Sequence, residues 1–151
     1  MRAISLAFEY DTSRKVVYDW WTDLSGVGYV GKALKSVKPV GKEGDKILVE
    51  TKWKIMGMRK TIVERLTLIS NEHWVWQPTM FGIELTDDFR LESREGKTIL
   101  TIDSHSRPNG PLGRLAIMMF GGALERTMVD EWKAANRAFL FEAITNSPPR
   151  T

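Results

Sequence analysis

The chain changes hydrophobic period once, and that change organises everything else. From Lys46 to Ser106 apolar and polar residues alternate in short segments; from Leu112 to Ile144 apolar residues recur at helical spacing. In the alternating stretch, Ile47, Val49, Thr51, Trp53 and Ile55 share one face of a strand, and Lys46, Glu50, Lys52 and Lys54 share the other. Met56-Gly57 turns into a strand over Thr61 to Ile69, with Ile62, Leu66 and Leu68 on one side. Asn71-Glu72 turns into His73 to Gln77, where Trp74 and Trp76 point the same way. Pro78-Thr79 turns again, into a long strand carrying Phe81, Ile83, Leu85, Phe89 and Leu91 on one face. Glu95-Gly96 closes a hairpin into Thr98 to Ser106, with Leu100 and Ile102 inward, and Pro108-Asn-Gly-Pro111 ends the sheet.

Upstream, Ile4, Leu6 and Phe8 alternate with Ala3, Ser5, Ala7 and Glu9 as a first strand. Asp11-Thr12-Ser13 offers N-caps for a short helix of about three turns, in which Val17, Trp20, Trp21 and Leu24 form the apolar face. A glycine-rich break, Ser25 to Gly31, leads to a strand near Ala33 to Val40 that Pro39 restricts to an edge or to its own end. The final helix is interrupted at Gly121-Gly122. Beyond that point Leu124, Met128, Trp132, Ala135 and Phe139 form a stripe, with Arg126, Asp130, Lys133 and Arg137 opposite. A one-faced sheet and a one-faced helix cannot bury their apolar sides alone, so they must cover each other. The expected architecture is α+β: a curved antiparallel sheet of about seven strands wrapped around a long C-terminal helix, with short helices after the first strand. Residues 1–146 are expected to form a single domain, and 147–151 a flexible tail.

Composition narrows the function classes. No apolar run approaches the roughly 18 residues of a membrane span, and the N-terminus meets Glu9 too early for a signal peptide. The absence of cysteine removes disulfides, thiol catalysis and thiolate metal sites, and makes a cytoplasmic location the expectation. The net charge of +3 is spread along the chain rather than clustered, so no nucleic-acid partner is expected. Lys52-Trp53-Lys54 has the basic–aromatic texture of a single-strand binder, but in a strand Trp53 points inward and both lysines face water.

Gly26-Val-Gly-Tyr-Val-Gly31 matches the dinucleotide pattern G-x-G-x-x-G, yet it follows a helix and precedes a strand. No helix N-terminus is then available for a pyrophosphate. His73 and His105 fall on the outer strand parity and have no metal-ligand spacing, so neither a metal nor another cofactor is expected. Six tryptophans are unusual in a chain of this size; Trp53 on one strand and Trp74 and Trp76 on another are inward, and Trp132 lies on the helix stripe. They line either a core or a pocket, since both use aromatic walls. Two carboxylates break the alternation: Glu64 shares parity with Ile62 and Leu66, and Asp87 with Leu85 and Phe89. An inward acid has a raised pKa unless paired, and can then act as general acid or base or hold a ligand's polar head. The alternatives are a bulge at Asp87-Asp88 that turns Asp87 outward, or an ion pair from Glu64 to Arg59, Arg65 or Arg90.

Strand, short helix, glycine-rich break, antiparallel strands and a long last helix, with Asp11-Thr12-Ser13 before the first helix and Pro108-Asn-Gly-Pro-Leu112 before the last, resemble the START-like helix-grip superfamily (SRPBCC). Its polyketide cyclase/dehydrase, coenzyme-Q-binding and pollen-allergen-like branches share this layout. The resemblance covers nearly the whole chain and includes no diagnostic catalytic string. It implies a hydrophobic cavity between sheet and final helix. The expected function is therefore non-catalytic binding or carriage of a small hydrophobic molecule such as a lipid, isoprenoid or polyketide. Two alternatives are a cyclase/dehydratase-type enzyme that uses Glu64 or Asp87, and a protein-interaction module of the coenzyme-Q-binding type. The expected cavity residues are Trp21, Trp53, Trp74, Trp76, Phe81, Ile83, Phe89, Leu100, Met128 and Trp132. Alternate turns of a meander gather at one end of the sheet, which would collect Met56, Met58, Met80, Met118 and Met119 at a cavity entrance or as its plug.

Overall fold

The computed structural model describes residues 2–24, 33–55 and 57–145. Strand β1 (Arg2–Tyr10) is followed by helix α1 (Arg14–Trp21), strands β2 (Leu34–Glu43), β3 (Lys46–Ile55), β4 (Met58–Ser70), β5 (His73–Gln77), β6 (Thr79–Met80), β7 (Ile83–Arg94) and β8 (Lys97–Pro108), and helix α2 (Gly110–Thr145). All strands belong to one antiparallel sheet in the order β1-β8-β7-β5-β4-β3-β2, with β6 paired to β7. This is the expected α+β helix-grip arrangement. β1 and β2, neighbours in sequence, are the two edges of the sheet.

The strands form where the alternation is strict. β3 buries Val49, Thr51, Trp53 and Ile55 and leaves Lys52 and Lys54 exposed. β7 buries Ile83, Leu85, Asp87, Phe89 and Leu91 in unbroken alternation. β2 tolerates Pro39 because it is an edge strand, and its pairing to β3 slips on either side of that residue. Ser13 caps α1, its Oγ accepting from the Val16 amide at 3.3 Å.

α2 lies across the concave face. Leu124, Met128, Trp132, Ala135 and Phe139 are all buried in the core shared with the sheet. At its far end Tyr10 packs edge-on against Phe139 and donates its hydroxyl to Asn136 Oδ1 at 2.6 Å. Trp20 of α1 contacts Phe139 too and donates Nε1–H to Glu142 at 2.5 Å, so α1 and α2 close that end together. At the start of α2, Gly113 lies against the β6–β7 hairpin. A Cβ on Gly113 would come within 2.1 Å of the Gly82 carbonyl oxygen, so only glycine permits the approach.

The structure departs from the sequence pattern in four places. The strand expected to begin at Phe81 begins at Ile83, because Phe81 and Gly82 form a hairpin turn with φ of 54° and 75°. Helix α2 runs unbroken through Gly121-Gly122; packing against the sheet outweighs a glycine penalty of about 1 kcal/mol each. α1 has 8 residues, shorter than expected. Leu68 is exposed rather than inward, next to the register shift between Leu68 and Ser70. The Gly26–Gly31 motif, Met56 and the 147–151 tail lie outside the described residues.

Truncating the centre of the helix stripe tests this packing. Trp132→Ala should lower stability by about 3–5 kcal/mol in chemical denaturation, the range for a buried aromatic. A loss below about 1 kcal/mol would mean that the stripe is not the core of the fold.

Candidate functional site

Between the concave face and α2 lies a cavity of about 80 Å³. Its walls come from α1 (Trp21), β2 (Leu34, Val37), β3 (Thr51, Trp53), β4 (Glu64), β5 (Trp76), β7 (Asp87, Phe89) and α2 (Met128, Glu131, Trp132, Ala135). The volume exceeds the ~10–15 Å³ needed to admit one water and is smaller than the ~150 Å³ that holds a benzene ring. It suits a small group or the end of a larger molecule.

Both alternation-breaking carboxylates face this cavity. Glu64 is 5% exposed and Asp87 2% exposed. The register of β7 against β8 is continuous past Asp87, so no bulge turns it outward. Neither carboxylate has an ion-pair partner among the described residues. Arg65 pairs with Glu43 and Arg90 with Asp88, both on the outer face. Each inward acid instead accepts from a hydroxyl. Thr51 Oγ1 donates to Glu64 Oε2 at 2.5 Å and in turn accepts from Trp53 Nε1–H at 2.8 Å. Ser104 Oγ donates to Asp87 Oδ1 at 2.7 Å. Those hydrogen bonds favour the charged forms, but burial dominates. It pushes Glu64 up to about 7, with the Asp87 charge adding to the effect, and it pushes Asp87 up to about 7 as well.

A third carboxylate, Glu131, went unremarked in the sequence. Its oxygens accept from the backbone amides of Ala33 at 2.5 Å and Leu34 at 3.3 Å, tying the middle of α2 to the start of edge strand β2. The signal was present: Glu131 lies three residues after Met128 and four before Ala135, in phase with the buried stripe. Val37 and Leu34 were missed because β2 alternates weakly.

The structure brings Trp21, Trp53, Trp76, Phe89, Met128 and Trp132 together around the cavity. Trp74 and Leu100 are in the solid core, where Trp74 stacks on Phe89 at 5.4 Å and meets Tyr18 edge-on. Ile83 borders a second, much smaller cavity with Leu85, Ile117 and Leu124. Phe81 is in its hairpin, with Lys60 Nζ 5.2 Å from the ring centre. Met80 is buried, while Met58, Met118 and Met119 are exposed, and none of these four lines the cavity. His73 bonds Asp88 on the outer face at 3.0 Å, and His105 is exposed. Among the described residues no group of three or more His, Cys, Asp or Glu side chains could hold a metal ion. No described helix is long and apolar enough to cross a membrane.

No family model matches this sequence, and no curated protein matches it. Solved structures do. The protein TTHA0849 from Thermus thermophilus superposes with a TM-score of 0.74 at 12% identity, over 97% of this chain and 100% of that one. The Zhui aromatase/cyclase from Streptomyces sp. R1128 gives 0.69 at 16% identity, over 95% of each chain. A START superfamily protein from Mycobacterium smegmatis gives 0.64 at 14% identity, over 92% of this chain and 98% of that one. The chain therefore has the helix-grip fold of START-like (SRPBCC) proteins.

The raised carboxyls bear directly on stability. Their folded pKa values near 7 lie above the unfolded values of 4.5 and 3.8, so the native state holds more protons than the unfolded state between those limits. Stability therefore falls as pH rises from about 4 to 7, by about 3–4 kcal/mol for each fully titrated group. Glu64→Gln and Asp87→Asn keep the shape and remove the charge. Each should be more stable than the native protein in urea at pH 8, by about 2–3 kcal/mol, and nearly equal to it at pH 4. Variants no more stable than the native protein at pH 8 would show that these groups are solvated or paired.

Proposed function

We propose that the protein binds and carries a small hydrophobic molecule with a polar end, held between the sheet and α2. The observation that carries this reading is the pair Glu64 and Asp87, buried in an aromatic cavity with no counter-charge among the described residues. Such groups lower stability at neutral pH, so a stable core alone gives no reason to keep them. A ligand whose polar end meets them does. The aromatic walls supply apolar contact, and the two hydroxyl-anchored carboxyls supply orientation, which is the usual composition of a small-molecule site. The fold shared with START-like proteins supports the same reading.

A second reading is favoured by one specific feature. Two carboxyls with pKa values near 7 exchange protons readily at neutral pH. In a cyclase/dehydratase-type reaction on a polyketide-like substrate, one would protonate a leaving oxygen while the other removed a proton from carbon. The fold similarity to a protein named an aromatase/cyclase supports this alternative.

Native mass spectrometry of freshly purified protein should detect a co-purified small molecule that is lost in Met128→Trp, a substitution that fills the cavity. Re-adding that molecule and recovering it unchanged identifies a carrier; recovering it altered identifies an enzyme. Native protein that carries no molecule and shows no saturable quenching of tryptophan fluorescence by any flat apolar compound would refute the ligand-binding reading.

A further inference from the structure

Every formal charge on the cavity wall has the same sign. Glu64 from β4, Asp87 from β7 and Glu131 from α2 line it, and no Lys, Arg or His does so among the described residues. Glu131 is occupied by the amides of Ala33 and Leu34, whereas the bonds to Glu64 and Asp87 come from hydroxyls that meet only one oxygen of each. Trp21, Trp53, Trp76, Phe89 and Trp132 add aromatic rings to the same wall, and the face of an aromatic ring attracts a cation.

From this arrangement we infer that the cavity selects a ligand whose buried end is a small organic cation, a protonated amine or a methylated ammonium, seated between Glu64, Asp87 and the tryptophan rings. The inference rests on the ligand-binding reading above and specifies the chemistry of that ligand. Anionic heads, such as free carboxylates or phosphates, meet like charges in a low-dielectric space whenever the two carboxyls are ionised and are disfavoured there. A cation supplies the counter-charge that folding leaves missing, and it interacts with the ring faces at the same time. Binding also draws both carboxyls into their charged forms, because a nearby positive charge favours ionisation. Cation binding must therefore release protons and strengthen as pH rises through the range where the two groups titrate.

Two probes separate charge from shape. Phenyltrimethylammonium carries a charge that does not titrate; tert-butylbenzene is its neutral isostere. Trp21, Trp53, Trp76 and Trp132 in the wall make intrinsic fluorescence the readout. At pH 8 the cation should bind about tenfold or more tightly than the isostere. That preference should shrink severalfold at pH 5.5, where Glu64 and Asp87 are protonated. The double variant Glu64→Gln/Asp87→Asn should bind the two probes alike at both pH values. If the isostere binds as well as the cation at pH 8, the cation inference fails while the apolar cavity stands. Should neither probe bind at pH 8, the cation inference fails, while the ligand-binding reading is decided by the co-purified molecule in native mass spectrometry. A cation preference that persists in the double variant would place the charge site elsewhere and overturn the inference.

Discussion

The mutual covering of one helix and one curved sheet is the constraint on which the rest of this molecule depends. The α2 stripe from Leu124 to Phe139 packs on the concave face of β3, β4, β5, β7 and β8, with α1 covering the part beside Tyr18 and Trp21. A curved sheet and the helix across it do not fit each other everywhere, and space remains in the middle. Large side chains must fill that middle space, and where they meet imperfectly a cavity remains. The tryptophans of β3, β5, α1 and α2 do this filling, and the space that they leave is the candidate site. The ends are closed by specific contacts: Gly113 on Gly82 at one, and Tyr10 and Trp20 on Phe139 at the other.

Within that space the electrostatics oppose stability. Two carboxyls are held by Thr51 and Ser104 but neutralised by no basic side chain among the described residues. Burial raises both pKa values to about 7, so at neutral pH the site is poised between protonation states. Glu131 behaves differently, because two backbone amides at the start of β2 satisfy it. The three acids thus divide into one that joins helix to edge strand and two whose unfilled hydrogen-bonding capacity faces the cavity. This division separates a structural carboxylate from candidates for recognition or proton transfer.

Much of this was legible in the chain. A strict period of two over β3, β7 and β8 and the stripe on α2 specified the elements, and their order implied the architecture, because only one packing buries both faces. The inward parity of Glu64 and Asp87 could be read directly, since a strand without a bulge leaves no freedom about which side a residue takes. Elements without a strong period were read less well. The Phe81-Gly82 turn was hidden because a bulky aromatic rarely adopts positive φ. Gly121-Gly122 suggested a break, yet the helix continues through both glycines.

The sequence by itself determined which side chains lie inside: local alternation sets the face, and that is a property of neighbouring residues along one strand or helix. Only the tertiary structure decided which of them share a cavity. Trp74 and Trp76 have the same parity on the same strand, yet Trp74 is sealed between Tyr18 and Phe89 while Trp76 borders the open space. Their difference comes from what α1 covers, a contact between residues more than fifty positions apart. Likewise Glu64 and Asp87 are left without counter-charges because, among the described residues, no strand or helix that meets them brings a Lys, Arg or His to the cavity wall. Side-chain direction is local, whereas enclosure and charge balance depend on distant strands and helices meeting, and no short stretch of sequence contains that information.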